Sequence, residues 1–137
     1  MTEPDPLGRL SFDVDVPPST NNLYASIPYW DAKAGKNRCR RALTQKARNY
    51  KEVVGWTVKS AVNEQGWEYN GGRLAFTMRV TYRDRRRRDI TNCIKVVEDA
   101  VAETLGFDDT VVDSFIIVRA GVDRNRPHVS VTLTEIL

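Results

Sequence analysis

The sequence predicts an α+β domain, a two-layer sandwich in which two helices cover one face of a mixed β-sheet, in the order β-α-β-α-β-β. Apolar residues alternate at Leu10, Phe12, Val14 and Val16 and again from Leu74 through Phe76, Met78 and Val80 to Tyr82, the two-residue period of half-buried strands. Between and after these runs, apolar residues recur every three or four positions, the period of an amphipathic helix. Two further apolar stretches, Phe115 to Ala120 and Val129 to Leu137, close the chain as strands. The 137 residues suit a single domain, 1–137, with one hydrophobic core.

Taken in order, residues 1–8 carry Pro and acidic residues without an apolar run, so they read as a frayed leader and not a secretory signal. The first strand ends at Pro17-Pro18, and Ser19 to Asn22 is a turn-forming cluster leaving the strand end. From Ala25 to Arg41 there is no periodicity, and the segment reads as an exposed basic loop. Leu43, Ala47, Tyr50, Val54, Val58 and Ala61 mark a helix over Thr44 to Glu64, with Thr44 as N-cap and Gly66 at its exit. The strand ending at Tyr82 delivers the chain to four consecutive arginines. Beyond them Ile90, Ile94, Val97, Val101 and Leu105 form one helical stripe, and Asn92, Lys95, Asp99 and Glu103 form the opposite one. Gly106 stops this helix, and the two closing strands are expected to form a hairpin through Gly121 to Pro127.

A hydrophobic fraction of 41% with 28% charged residues is that of a soluble globular protein, and no apolar run is long enough to span a membrane. Cys39 and Cys93 are far apart and His128 is the single histidine, which excludes a zinc constellation and implies reduced thiols in a cytoplasmic protein. The net charge of +3 is small but segregated. Basic residues gather in Lys33 to Lys51 and Arg83 to Arg88, and acids in Glu98 to Asp113, a pattern that suits a polyanion-binding face as well as a solvated surface.

The chemistry concentrates in Arg85-Arg86-Arg87-Arg88-Asp89-Ile90-Thr91-Asn92, followed by Lys95, Asp99 and Asp108-Asp109. Each piece has a purely structural account: Asp89 as a helix N-cap, Asp108-Asp109 as a turn, Lys95 and Asp99 as a surface pair, the arginines as a solvated run or a localisation signal. Together they suit metal-assisted hydrolysis of a phosphodiester. Asp89 and Asp109 would give Mg²⁺ its hard oxygens, Lys95 would stabilise charge at the scissile phosphate, and the arginines would seat flanking phosphates.

The sequence from Pro17-Pro18-Ser19 and Asn22 through the arginine run to Asp89, Asn92, Lys95, Asp99-Ala100 and Asp108-Asp109 resembles the RusA family of Holliday-junction resolvases. The resemblance spans nearly the whole chain. It implies a homodimeric, Mg²⁺-dependent endonuclease, with Mn²⁺ able to substitute, that cuts four-way DNA junctions, as is common among phage and prophage proteins. It implies catalytic roles for Asp89, Lys95 and Asp109 and metal ligation by Asp89 and Asp109, with Asp108 and Thr91 as further candidates. DNA contacts are expected from Arg85, Arg86, Arg87, Arg88, Asn92, Ser19, Asn21, Asn22, Lys33, Lys36 and Arg38. Tyr24, Tyr29 and Trp30 are either stacking residues at a junction centre or packing residues.

Thr91 departs from the family pattern, which places a second metal-binding aspartate there. The loss of that charge leaves three outcomes open. Asp108 or Asp99 compensates; the enzyme works with weaker metal affinity; or the protein binds branched DNA without cutting it. A regulatory basic domain whose acids are only caps and turns is the remaining alternative.

Overall fold

A computed structural model of the chain describes residues 8–136, apart from the side chains of Thr20, Asn21, Asn92 and Cys93. The expected leader and Leu137 thus lie outside the described residues, except for Gly8. The elements run β1 (Arg9–Val14), α1 (Thr20–Leu23), β2 (Tyr24–Asp31), β3 (Lys36–Leu43), α2 (Gln45–Gln65), β4 (Arg73–Tyr82), α3 (Ile94–Leu105), β5 (Val112–Val122) and β6 (His128–Ile136). Short 3-10 turns, Ile90–Cys93 and Asp109–Val111, flank α3. No helix among the described residues is long and apolar enough to cross a membrane.

The main sheet has the order β1-β6-β4-β5, with β4 and β5 parallel and the other pairs antiparallel. It is the mixed sheet expected, and α2 and α3 pack on its apolar face. Leu10, Phe12 and Val14 of β1, Leu74, Phe76, Met78, Val80 and Tyr82 of β4, and Val129, Val131 and Leu133 of β6 are buried there. They meet Ala47, Val54, Val58 and Ala61 of α2 and Val96, Val97, Ala100 and Val101 of α3 in one core cluster. Phe76 stacks on Phe115 with ring centroids 5.1 Å apart. The second sheet face carries Thr77, Thr81, Ser130 and Thr132, half-buried polar residues at the alternate positions of the same strands.

Helix boundaries follow the local chemistry. Thr44 Oγ1 accepts the Ala47 N–H at 3.1 Å, the expected N-cap of α2. Gly66 takes φ 61° and donates its N–H to the Val62 carbonyl, so the helix stops where a left-handed residue costs least.

Two expectations are corrected. The stretch Ala25 to Arg41 is no loop but the antiparallel hairpin of β2 and β3, in register from Tyr24 opposite Leu43 to Asp31 opposite Lys36. Asp31 builds its turn, accepting the Lys33 and Ala34 N–H groups at 3.0 and 3.1 Å. The closing strands are not a hairpin either. Strand β5 arrives by the α3 crossover and lies parallel to β4, as the edge of the sheet. The chain then crosses the end of β4, where Asp123 donates its N–H to the Tyr82 carbonyl at 2.7 Å. It enters the sheet again as β6, between β4 and β1 and antiparallel to both.

Candidate active site

Strand β4 carries the chain to Tyr82, and the arginine run follows under the control of Asp84. Its carboxylate accepts the Arg86 N–H at 3.0 Å and pairs with Arg88 Nη1 at 2.7 Å. The hydrogen bond from Arg88, then that from the Arg86 backbone, pulls the Asp84 carboxyl from 3.8 down to about 2. The Arg88 guanidinium lies 4.8 Å over the Tyr82 ring, and Arg119 of β5 stands 5.7 Å from the same ring. Arg119 Nη2 also donates to the Arg88 carbonyl at 2.6 Å. Arg88 is therefore a half-buried clamp, while Arg85, Arg86 and Arg87 are exposed.

Asp89 follows at the N-cap of the 3-10 turn Ile90–Cys93, one turn ahead of the α-helix that the stripe begins. Its Oδ1 accepts both the Thr91 N–H at 3.0 Å and the Thr91 hydroxyl at 2.7 Å. These two donors, the hydroxyl first, hold the Asp89 carboxyl below its ordinary value, so it is ionised at neutral pH. The capping role and an available second oxygen coexist: Oδ2 has no donor among the described residues. Through these two bonds Thr91 orients Asp89.

Lys95, on the first turn of α3, reaches Asp99 Oδ1 at 3.0 Å and Asp109 Oδ2 at 3.7 Å. The i,i+4 pair and the interaction with the second acidic cluster are thus both present. Asp99, by hydrogen bond and then by charge, pushes the Lys95 ammonium above its usual value, so it stays charged. Burial pushes the neighbouring Glu98 carboxyl up. Asp108 caps the 3-10 turn Asp109–Val111, accepting the Thr110 N–H at 3.0 Å, and this bond holds its carboxyl low.

Of the site residues expected from sequence, Lys95, Asp99 and Asp109 come together, and Asp89 joins Thr91. Asp89 sits beside Arg119 through the Arg88 carbonyl, whereas Asp109 precedes Val112, which is in register with Leu74 at the other end of β4. Among the described residues, no three His, Cys, Asp or Glu side chains converge as a metal cluster. The donor set fits Mg²⁺ held by one or two carboxylates with water and phosphate oxygens completing the shell, and fits no all-protein cage.

A cleft of about 330 Å³ joins Pro17, Pro18 and Ser19 to Tyr82, Arg87, Arg88 and Asp89, so the loop after β1 borders the site. Asn22 is tied to Ser19 through Nδ2 and Oγ at 3.1 Å. The side chains of Asn21 and Asn92 lie outside the described residues. Lys33, Lys36 and Arg38 lie on the β2–β3 hairpin, where Arg38 pairs with Asp31 at 2.9 Å. A further cleft of about 550 Å³ between α2 and α3 contains none of this chemistry. Sequence reasoning missed Asp84, Tyr82 and Arg119. The i,i+4 spacing of Asp84 and Arg88 was the one available signal.

An α+β domain that brings arginines, ionised aspartates and a charged lysine to the ends of one parallel strand pair and its crossover helix belongs with proteins that handle phosphodiesters. The family model for the endodeoxyribonuclease RusA matches residues 17–134, and the chain belongs to that family. A comparison with curated proteins gives no match.

Proposed function

We propose that this chain is a Mg²⁺-dependent resolvase of four-way DNA junctions that acts as a homodimer, Mn²⁺ being able to replace Mg²⁺. Membership of an endodeoxyribonuclease family supports nuclease activity. The single observation that carries the site is Lys95 Nζ, held charged between Asp99 and Asp109 on the face opposite the buried stripe of α3. Asp89, with Thr91 as a neutral neighbour, and Asp109, with Asp108 adjacent, are the carboxylates that would hold divalent metal, each toward its own end of β4. When bound, the ion would act as a Lewis acid on a phosphoryl oxygen. Water adds to phosphorus, one bridging P–O bond breaks, and a proton reaches the departing alkoxide. Lys95 is charged for electrostatic stabilisation of that developing anion. Arg85, Arg86 and Arg87 are exposed and would seat phosphates, Arg86 at the edge of its 4.0 Å pair with Asp84, while Arg88 fixes the approach to Asp89. Two symmetric cuts need two symmetric sites, which suits a homodimer.

A second reading has its own support. Thr91 uses its hydroxyl to bind Asp89, and among the described residues no trio of acidic ligands converges, which favours a junction-binding protein with weakened or lost cleavage. An end-labelled immobile junction incubated with Mg²⁺ and then Mn²⁺ separates the two. Symmetric cuts by the native protein and none by Asp89→Asn are the expected result. Tight binding without cuts by the native protein would select the second reading.

A further inference from the structure

The β2–β3 hairpin stands apart from the sandwich. Residues 25–30 and 36–41 are all exposed, so the described residues bury neither face of the ribbon. Eight residues per strand give it a length of roughly 26 Å. An isolated two-stranded hairpin is marginal in water, and this one turns Ile27, Tyr29 and Trp30 outward at 38%, 42% and 63% exposure. Trp30 has no ring or cation partner among the described residues. The ribbon carries Lys33, Lys36, Arg38, Arg40 and Arg41 against the single acid Asp31, which is engaged by the turn and by Arg38.

Its root is fixed. Leu23 is buried, Thr44 donates its N–H to the Leu23 carbonyl at 2.9 Å, and Arg41 lies 4.4 Å over the Tyr24 ring. The single turn α1 links that root to Ser19, which lines the cleft of Asp89. A firmly rooted cationic ribbon with an unpaired indole near its tip is complementary to DNA: two strands fit a groove, cations neutralise phosphates, and an indole stacks on a base released from its helix. The last condition is met where helices meet at a branch. A second copy of the chain is a poorer occupant, because two ribbons of the same strong charge repel.

We propose that the β2–β3 hairpin is the branch-reading arm of the protein: its lysines and arginines grip phosphates at the junction centre while Trp30 stacks on an unpaired base there. The assignment rests on the junction reading above. It is tested without divalent metal, so that cleavage plays no part, on a four-way junction with 2-aminopurine beside the branch and on a matched duplex.

The native protein should prefer the junction and change the 2-aminopurine fluorescence on binding. Trp30→Ala should lose junction affinity by roughly five- to a hundred-fold, as expected for one stacked base, keep its duplex affinity and lose the fluorescence change at saturation. Trp30→Phe should restore most of both. Equal losses on duplex and junction, or an intact fluorescence change in Trp30→Ala, would overturn the arm. So would dissociation of Trp30→Ala into monomers in sedimentation, which would give the arm to a second copy. A native protein without any preference for the junction would remove the proposed function itself, and the arm with it. Unchanged thermal melting of Trp30→Ala is expected, since the ring touches no core residue.

Discussion

Replacing Thr91 by aspartate perturbs the site most sharply. Thr91 Oγ1 stands 2.7 Å from Asp89 Oδ1, so the new carboxylate would lie within reach of an ion held by Asp89. Two unit charges ~4 Å apart in water interact by ~1 kcal/mol, so a dication would gain ~2 kcal/mol, roughly thirty-fold in affinity. Two effects work against that gain. The substitution removes the hydroxyl that holds Asp89 in place, and without metal it sets two carboxylates side by side. The net expectation is a rise of roughly five- to thirty-fold at neutral pH and low salt, shrinking as the pH falls and one of the pair protonates. Titration with Mn²⁺ followed by electron paramagnetic resonance of the free ion measures it directly. Thr91→Val removes the hydroxyl without adding charge and should bind the ion more weakly than the native protein. Unchanged or weaker binding by Thr91→Asp would refute the reasoning, because position 91 would then lie outside the reach of the ion and Asp89 would not be its ligand.

Lys95→Met should slow junction cleavage by roughly a hundred-fold or more, as loss of a positioned charge does, while junction affinity stays within a few-fold; equal losses in both would make Lys95 a binding residue. The Asp84 carboxyl has a folded value of about 2 against an ordinary 3.8, so its contribution is complete above 3.8 and lost as the pH falls towards 2; a carboxyl NMR titration should show that low midpoint, and a midpoint at or above 3.8 would remove Asp84 as the organiser of the arginine run. Arg86→Ala should lower the slope of log affinity against log salt by about 1 and weaken duplex and junction alike, which a salt series on both substrates checks. Phe76→Ala empties a fully buried site stacked on Phe115 and should cost about 3–5 kcal/mol in urea unfolding; a loss under 1 kcal/mol would contradict the core as described.

What could be read in advance depended on whether burial left a period in the sequence. Strands β1 and β4 each bury one face, so their alternation was visible, as was the stripe of α3. The β2–β3 hairpin buries neither face, and nothing selects apolar residues at every second position; its sequence looks like a loop because its environment does. The order of the closing strands was misread for a different reason. Neighbours in sequence often pair, but β5 is fixed by its parallel ladder to β4, a long-range constraint with no local mark. The site was legible in part. Lys95 and Asp99 share a helix face by simple arithmetic, whereas the approach of Asp109 to Lys95 depends on how the chain returns after α3. Arg88 looked equivalent to its three neighbours, and only the tertiary positions of Tyr82 and Arg119 set it apart.

Strand β6, which follows the other described strands in the sequence, is also an interior strand of the sheet. Until His128 to Ile136 emerge, β1 has no strand partner and β4 has one open edge, because both pair with β6. Strand β1 must therefore wait for β6, and the shared apolar face of β1 and β4 cannot close until that strand is made. Such contacts between distant parts of a chain make folding slow and leave its intermediates open to association. A nascent chain of this design cannot close its sheet before β6 is made, so the framework that carries the arginine run at the end of β4 is complete only after that strand.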